Sequence, residues 1–167
     1  SYVREQLALT VDKTDYHQSA VVANIGLRRA HQQIAYERFT STGLMALLPM
    51  RQQRAALVWA TTPSEAQRLY ELPDNDFLNE LQQQFGYRLG RFERVGRRGL
   101  FPLALQKMPS IASQRVVFVG NASQTLHPVA GQGFNLGLRD VATLAELIIE
   151  EKTLSDVKTL LINYQEC

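Results

Sequence analysis

Residues Arg115 to Asp140 read RVVFVGNASQTLHPVAGQGFNLGLRD, and this stretch carries most of the information about the architecture. It opens with an apolar run at residues 116–119 that ends in Gly120, which predicts a short buried strand. Pro128 then favours an extended conformation at the residue before it. Apolar residues next recur at the spacing of one helical face, namely Val141, Leu144, Ala145, Ile148 and Ile149. The stretch therefore predicts a strand, a long loop, a glycine-rich helix start and an amphipathic helix.

Gly131 and Gly133 stand at the predicted start of that helix. A helix N-terminus presents unpaired N–H groups and a partial positive charge. Glycines at this end let an anion or a flat polar ring lie against the backbone. They would equally suit a tight packing turn between a strand and a helix, so the residues alone leave both interpretations open.

Composition excludes several classes of protein. The 167 residues are 45% hydrophobic, which is typical of a globular protein with a proper core. A net charge of +2 is too small to indicate a nucleic-acid partner. No apolar run is long enough to span a bilayer, and no signal-peptide pattern is present. The single cysteine is Cys167, and His17, His31 and His127 are scattered, so we expect neither an internal disulfide nor a metal site.

Outside the opening stretch, β-forming and alternating runs predict strands. They lie over residues 16–25 and 35–39, with a hairpin formed by residues 44–49 and 55–61 and an extended segment over residues 88–105. Pro102 predicts a break within that last segment.

Two helices are predicted between the hairpin and the extended segment. Thr62 and Glu65 form the pattern of a capping box, with a proline at the first helical position. Asp74 is placed to cap the second helix, and Gly86 is placed to end it. A last helix is predicted from about Ser155 to the end of the sequence.

The segment GNASQTLHPVAGQGFNLGLRD resembles the second flavin fingerprint of the class A flavoprotein monooxygenases, whose usual form is GDAAH-x-x-x-P-x-x-GQG-x-N-x-G-x-x-D. Within that class it is most similar to the ubiquinone-biosynthesis hydroxylases, and above all to the 2-octaprenyl-6-methoxyphenol hydroxylases. It departs from the family at Asn121, where most relatives have Asp, and at Ser123, where Ala is usual. The patterns ERF-x-x-x-G-x-x-ALLPM, FG-x-x-LG and FPL resemble the same family, so the resemblance covers nearly the whole chain.

The resemblance implies an α/β (or α+β) fold, the substrate-domain half of the p-hydroxybenzoate hydroxylase-like FAD/NAD(P)-binding fold, with a mixed or antiparallel sheet and flanking helices. We expect a substrate-binding sheet domain at residues 1–110 and the C-terminal part of the FAD-binding domain at residues 111–167. The strand at residues 116–120 would join a parallel sheet whose other strands belong to a preceding part of the protein. Residues 1–4 resemble the tail of the family's DG motif and no GxGxxG fingerprint is present, so we expect the chain to be a fragment.

The same resemblance implies FAD chemistry, in which NAD(P)H reduces the flavin and one oxygen atom is transferred to an activated phenol. His127 and Pro128 would border the reacting edge of the isoalloxazine as catalytic residues. The implied cofactor-binding residues are Gly120 and Asn121 by the pyrophosphate and ribose, Pro128, and Gly131, Gly133, Asn135 and Leu136 by the pyrimidine side of the flavin.

The implied substrate is a polyprenylated phenol that resides in the membrane. We therefore expect a cytoplasmic protein in peripheral contact with the inner membrane, with other ubiquinone-biosynthesis proteins as partners. The 167 residues alone are expected to be inactive, to bind FAD weakly and to self-associate through uncovered apolar surface. The sheet residues Leu44, Ala46, Leu48, Leu57 and Trp59 are expected to include one face that lines an apolar cavity for the phenol.

Two other functions fit parts of the sequence. Ser123, His127 and Asp140 could be imagined as a hydrolase triad, but no G-x-S-x-G elbow surrounds the serine. A non-catalytic module, used for assembly with partner proteins and derived from such an enzyme, is the second alternative.

Overall fold

The computed structural model describes residues 2–113, 115–127, 131–150 and 157–166. The chain forms two compact units. We call residues 17–103 the sheet unit, and the described parts of residues 1–16 and 104–167 the terminal unit. The expected domain boundary at residue 110 concerns function and stays a prediction; by compactness, the first sixteen residues group with the C-terminal part of the chain.

The elements follow one another in the order helix, four strands, two helices, five strands and two helices. Their bounds are α1 Tyr2–Gln6, β1 Asp12–Leu27, β2 Tyr36–Thr40, β3 Gly43–Met50, β4 Arg54–Thr61, α2 Pro63–Glu71, α3 Asp74–Phe85, β5 Phe92–Val95, β6 Gly99–Lys107, β7 Ala112–Ser113, β8 Val116–Val117, β9 Gln124–Thr125, α4 Gln132–Glu150 and α5 Val157–Glu166, with one turn of 3-10 helix at Gly120–Ala122. Seven strands form a sheet in the order β2-β3-β4-β1-β6-β9, with β5 paired to β1.

The sheet unit is antiparallel, as the sequence predicts. The β3–β4 hairpin aligns Leu44 with Ala60 and Met50 with Arg54, and β1 runs antiparallel to both β4 and β5. Gln52 and Gln53 at the hairpin tip both have positive φ, of 61° and 53°. Such turns match the right-handed twist of the two strands that they join.

Alternation along the strands gives the sheet two different faces. One face packs against α2 and α3, and its core includes Ile25, Leu57 and Phe77, each fully buried. The other face carries a smaller cluster around Leu44, Ala46 and Ala60. The five residues expected to line a phenol cavity are therefore divided: Leu44, Ala46 and Leu48 share the second face, whereas Leu57 and Trp59 belong to the helix-packed core.

The two helices of the sheet unit begin and end close to their predicted bounds, but the predicted side-chain caps are not formed. Thr62 is the N-cap residue of α2, as predicted, yet its side chain makes no capping hydrogen bond, and the Glu65 carboxylate accepts hydrogen bonds from Arg68. Asp74 is the first residue of α3 and not its cap, and its carboxylate pairs with Arg98 at 3.1 Å. The predicted end of α3 at Gly86, with φ of 85°, is confirmed.

The predicted break at Pro102 is also wrong, since β6 runs through this residue from Gly99 to Lys107. Proline is compatible with a strand where its nitrogen does not have to donate to a neighbouring strand. The other predicted strands of the sheet unit are confirmed, with β1 longer than expected.

In the terminal unit, the strand predicted at residues 116–120 is shorter than expected. Only β8, Val116–Val117, is a strand, and its described partner is the antiparallel β7. A parallel strand needs neighbours along its edges, and the described residues provide β8 with one antiparallel neighbour. The described residues supply no parallel partner, so the parallel sheet with strands from a preceding part of the protein stays a prediction.

Helix α4 starts directly after Gly131, as predicted, and ends at Glu150. Its predicted apolar stripe is largely exposed: Val141, Ile148 and Ile149 are 50%, 44% and 79% exposed, and none of its described residues is fully buried. Helix α5 buries Leu160, Leu161 and Tyr164. Its predicted start at Ser155 lies outside the described residues.

Along the described part of the chain, none of the helices combines the length and the apolar composition that crossing a bilayer requires.

Candidate functional site

The turn at Gly120 and Asn121 is held by hydrogen bonds to both backbone groups of the glycine. The Gly120 N–H donates to Oδ2 of Asp140 at 2.9 Å. The Gly120 carbonyl accepts from the backbone N–H of Ser123 at 2.9 Å and from its hydroxyl at 2.8 Å. Gly120 has a φ of 56°, which favours glycine, and Asn121 is left exposed at the outer side of the turn.

Close packing against α4 fixes the same turn from the helix side. A Cβ added to Gly137 would lie 3.1 Å from the Cα of Gly120, so a side chain at position 137 would push the turn away. Asp140 lies one helical turn further along α4 and supplies the carboxylate described above. Gly137 and Asp140 are therefore positioning residues that the sequence-based site omitted. Both belong to the quoted fingerprint, and their spacing of three residues on a predicted helix could have identified them.

The N-terminus of α4 presents open backbone. Gly131 has a φ of 61°, and a Cβ built on Gly131 or Gly133 would meet no described atom within 4 Å. Packing within the described chain therefore does not require either position to be glycine, although the φ of Gly131 does. Asn135 is exposed and Leu136 half-buried in the first turns of the same helix. A flat or anionic group could approach this surface closely, so the residues present fit a flavin.

His127 lies in a partly apolar environment in the terminal unit. Its ring packs edge-on against Tyr16, with 5.0 Å between the ring centroids. Burial lowers the pKa of the His127 imidazole below its ordinary value, which favours the neutral ring near neutral pH. The other residue expected at the reacting edge, Pro128, lies outside the described residues.

The hydrolase interpretation is wrong. Ser123 is buried and its hydroxyl donates to the Gly120 carbonyl, while the Asp140 carboxylate accepts from the Gly120 N–H. Both side chains of the imagined triad thus hold the backbone of a single turn. Burial, with a smaller contribution from the Asp140 carboxylate, raises the pKa of Tyr164 on α5.

The expected cofactor-binding residues fall into two groups on the terminal unit. Gly120 and Asn121 form the clamped turn, and Gly131, Gly133, Asn135 and Leu136 form the start of the helix to which that turn is clamped. Their roles toward a cofactor stay predictions. Within the residues that the structure describes, no group of three or more His, Cys, Asp or Glu side chains is arranged to hold a metal ion.

The fold is that of the p-hydroxybenzoate hydroxylase-like flavoproteins, as the sequence predicts. Among solved structures, PqsL, a probable FAD-dependent monooxygenase from Pseudomonas aeruginosa, superposes with a TM-score of 0.76 at 22% identity. The match covers 98% of this chain and 47% of that one.

The particular family follows from the sequence comparisons. The family model described as FAD binding domain matches residues 1–167, and the chain belongs to that family. The chain is 39% identical to the ubiquinone hydroxylase UbiL of Rhodospirillum rubrum over 154 residues, which is 92% of the chain. It is 29% identical to 3-demethoxyubiquinol 3-hydroxylase of Escherichia coli over 153 residues. The predicted relationship to flavin monooxygenases of ubiquinone biosynthesis is thus confirmed, with FAD as the cofactor of the family.

The chain spans 36% of the length of UbiL and 39% of the length of the Escherichia coli enzyme.

Proposed function

We propose that this chain is part of an FAD-dependent monooxygenase that uses NAD(P)H and oxygen to hydroxylate a polyprenylated phenol in ubiquinone biosynthesis. One observation carries the proposal: the Gly120–Asn121 turn is clamped by Asp140 and Gly137 onto a helix whose first glycines are open. The relationship to UbiL supports the substrate class. The relatives described above do not favour the alternative of a non-catalytic module.

Each part of the terminal unit has a role in this proposal. The Gly120 turn lies by the pyrophosphate, and the exposed amide of Asn121 accepts a hydrogen bond from a ribose hydroxyl without the charge assistance of the usual Asp. Gly131, Gly133, Asn135 and Leu136 contact the pyrimidine side of the isoalloxazine, with the helix N-terminus stabilising negative charge there by about 0.3–1 kcal/mol. The flavin itself supplies the redox chemistry.

His127 and Pro128 border the reacting edge of the flavin in this proposal. A lowered pKa keeps the His127 imidazole neutral near neutral pH, so that one ring nitrogen can donate a hydrogen bond and the other can accept one. A neutral ring can orient a phenol hydroxyl without placing a fixed positive charge beside the flavin.

The substrate side of the proposal rests on the second face of the sheet unit. Leu44 and Ala46 are buried there, while Leu48 is 41% exposed and extends the apolar surface outward. An apolar face of this kind suits a phenol that carries a prenyl chain. Because such a substrate resides in a membrane, we also propose a cytoplasmic protein that meets the inner membrane peripherally and works with other enzymes of the pathway.

Gene deletion and complementation test the function. Deletion should stop ubiquinone synthesis and lead to accumulation of a polyprenyl phenol that lacks one ring hydroxyl, and the wild-type gene should restore synthesis. Asn121→Asp should retain activity and tighten FAD binding, because it restores charge assistance, whereas Asn121→Ala should weaken FAD binding. Normal ubiquinone levels in the deletion strain would contradict the proposed substrate.

A further inference from the structure

One end of the sheet unit gathers arginines from three separate segments of the chain, residues 26–35, 50–54 and 86–94. These segments hold seven arginines and a single acidic residue, Glu93, a surplus of six positive charges. The whole chain has a formal net charge of only +2, so the remainder of the sequence is net acidic. We call this set the arginine edge: Arg28, Arg29, Arg51, Arg54, Arg88, Arg91 and Arg94.

Backbone contacts bring the three segments together. The Arg28 N–H donates to the Arg91 carbonyl at 3.0 Å, and the Leu27 N–H donates to the Gln53 carbonyl at 2.9 Å. Gly26 pairs in register with Arg54 on one side and with Arg94 on the other. The side chains of these two arginines therefore lie on the same face of the sheet, two strand spacings or about 10 Å apart, with no side chain between them.

The arginines of this edge are mostly exposed. All except the half-buried Arg54 are exposed, and the ion pair between Arg28 and Glu93 is long, at 3.9 Å, with both side chains more than half exposed. Such a pair contributes little, so it leaves most of the positive charge available to a partner. Two open clefts, of about 940 and 600 Å³, adjoin here and share Gln52, Gln53 and Arg54 in their walls.

Exposed apolar side chains accompany the charge. Ile34 is 46% exposed and Tyr87 is 66% exposed, and both belong to the segments that carry the arginines. His31 ties its segment to the hairpin, since its Nε2–H donates to the Met50 carbonyl at 2.7 Å while its Nδ1 accepts from the Gln33 N–H. Arginines interspersed with an aliphatic and an aromatic side chain are typical of surfaces that lie against lipid headgroups.

We infer that the arginine edge binds the surface of a membrane that contains anionic phospholipids. Guanidinium groups recognise phosphate through paired hydrogen bonds, and in membrane-adjacent segments clusters of four to eight basic residues are typical of binding to anionic lipids. Seven arginines spread over three segments exceed what a single free phosphate could engage. The inference rests on the proposed function in one respect: a polyprenylated phenol resides in the membrane to which this edge would attach the protein.

Vesicle co-sedimentation of the full chain tests the inference directly. The chain should bind vesicles of equimolar phosphatidylcholine and phosphatidylglycerol, bind phosphatidylcholine vesicles far less, and dissociate as salt is raised. The triple variant Arg29→Gln, Arg51→Gln, Arg91→Gln removes three exposed charges of the edge. Each basic residue at an anionic surface contributes about fivefold to partitioning, so this variant should lose about a hundredfold.

A matched control removes three exposed charges elsewhere: Lys13→Gln, Arg97→Gln, Lys107→Gln. It should partition like the wild-type chain. Fluorescence of Trp59, which is buried in the core, reports whether each variant is folded. If the edge triple does not fold, Arg51→Gln alone at the hairpin tip should still cost about fivefold.

Several results would overturn the inference. The chain could fail to bind anionic vesicles, or the two triple variants could lose vesicle binding equally. Inorganic phosphate at the concentration of the lipid phosphate could release the chain from the vesicles, or the chain could bind duplex DNA in preference to them. Hydroxylation of detergent-dispersed substrate, measured on the whole enzyme that contains this chain, keeps the two proposals separate. If the edge triple variant of that enzyme loses vesicle binding but still hydroxylates, only the membrane surface is refuted. If the wild-type enzyme binds vesicles but does not hydroxylate the phenol, only the proposed function is refuted.

Discussion

Three glycines of the terminal unit differ in what the structure demands of them. Gly137 provides room, because an added Cβ would lie 3.1 Å from the Gly120 Cα. Gly131 provides a backbone conformation, with a φ of 61°. Gly133 has neither constraint among the described atoms, since an added Cβ would meet nothing within 4 Å. Gly133 is exposed at the start of the helix and packing does not require it to be glycine. A ligand is therefore the most direct explanation for a glycine at this position.

Substitutions by alanine should separate packing from ligand binding. Gly137→Ala should lower the free energy of unfolding by up to about 2 kcal/mol, because overpacking against the turn costs about 1–3 kcal/mol and the helix propensity of alanine offsets about 1 kcal/mol of that cost. Gly133→Ala should leave stability unchanged or raise it by up to about 1 kcal/mol, because alanine favours helix, while weakening FAD binding. Urea denaturation and FAD titration of both variants measure these effects. Gly131→Val is a poorer test, since its positive φ strains any side chain. Equal FAD binding by Gly133→Ala and wild type would contradict the assignment of this glycine.

Burial of His127 predicts a definite pH dependence. Its folded pKa lies below the ordinary value of about 6.5, so near that pH the unfolded chain binds more protons than the folded chain. The contribution of the neutral His127 ring to the free energy of unfolding should therefore be fully present above a pH of about 6.5. It should decline as the pH falls below that value. NMR titration of the ring should give the lowered pKa directly. Tyr16→Ala removes the packed ring and should return that pKa toward its ordinary value, whereas Tyr87→Ala, at an exposed position, should not.

At the scale of helices and strands, local sequence signals predicted where the helices begin and end. They did not predict which groups the capping side chains bind. Pro63 and Gly86 mark helix ends through their own backbone preferences, and both predictions are confirmed. The capping box failed because Arg68 draws the Glu65 carboxylate away and also binds Glu80 on the next helix. That competition depends on how α2 and α3 pack, which no short segment of sequence specifies.

Arg98 joins the same two helices and offers a sharp test. Its guanidinium donates to the Leu69 and Leu72 carbonyls and to Asp74, lies 5.0 Å from the ring centroid of Phe77, and is only 12% exposed. Hydrogen bonds to a charged group contribute about 1.5–3 kcal/mol each, so Arg98→Ala should cost at least that amount. Arg97→Ala, at an exposed neighbouring position, should stay within about 0.5 kcal/mol. Urea denaturation followed by Trp59 fluorescence compares them, and equal stability of the two variants would refute the role of Arg98.

For the whole molecule, the sequence predicted the fold class through two kinds of signal. Alternation and turn residues predicted the antiparallel hairpin, and the flavin fingerprint predicted the turn and helix of the terminal unit. What it missed depends on three-dimensional packing. Periodicity identified an apolar stripe on α4 but not whether anything covers it, and Val141 and Ile149 are in fact exposed. Alternation likewise did not show which face of the sheet the helices would cover. Trp59 lies on the covered face and Leu48 lies on the other.

The openness of the candidate site leads to a prediction about FAD binding by the 167 residues. Small-molecule sites bury about 70–90% of their ligand, yet Asn121, Gly131, Gly133 and Asn135 are all exposed. The chain also spans only 36% of the length of UbiL. We therefore expect the chain alone to bind FAD weakly and to show no hydroxylase activity. Titration followed by flavin fluorescence and calorimetry measures the affinity, with Gly133→Ala as the variant that should abolish any residual binding. Stoichiometric binding at micromolar concentration would show instead that the clamped turn and the open helix start suffice to hold the cofactor.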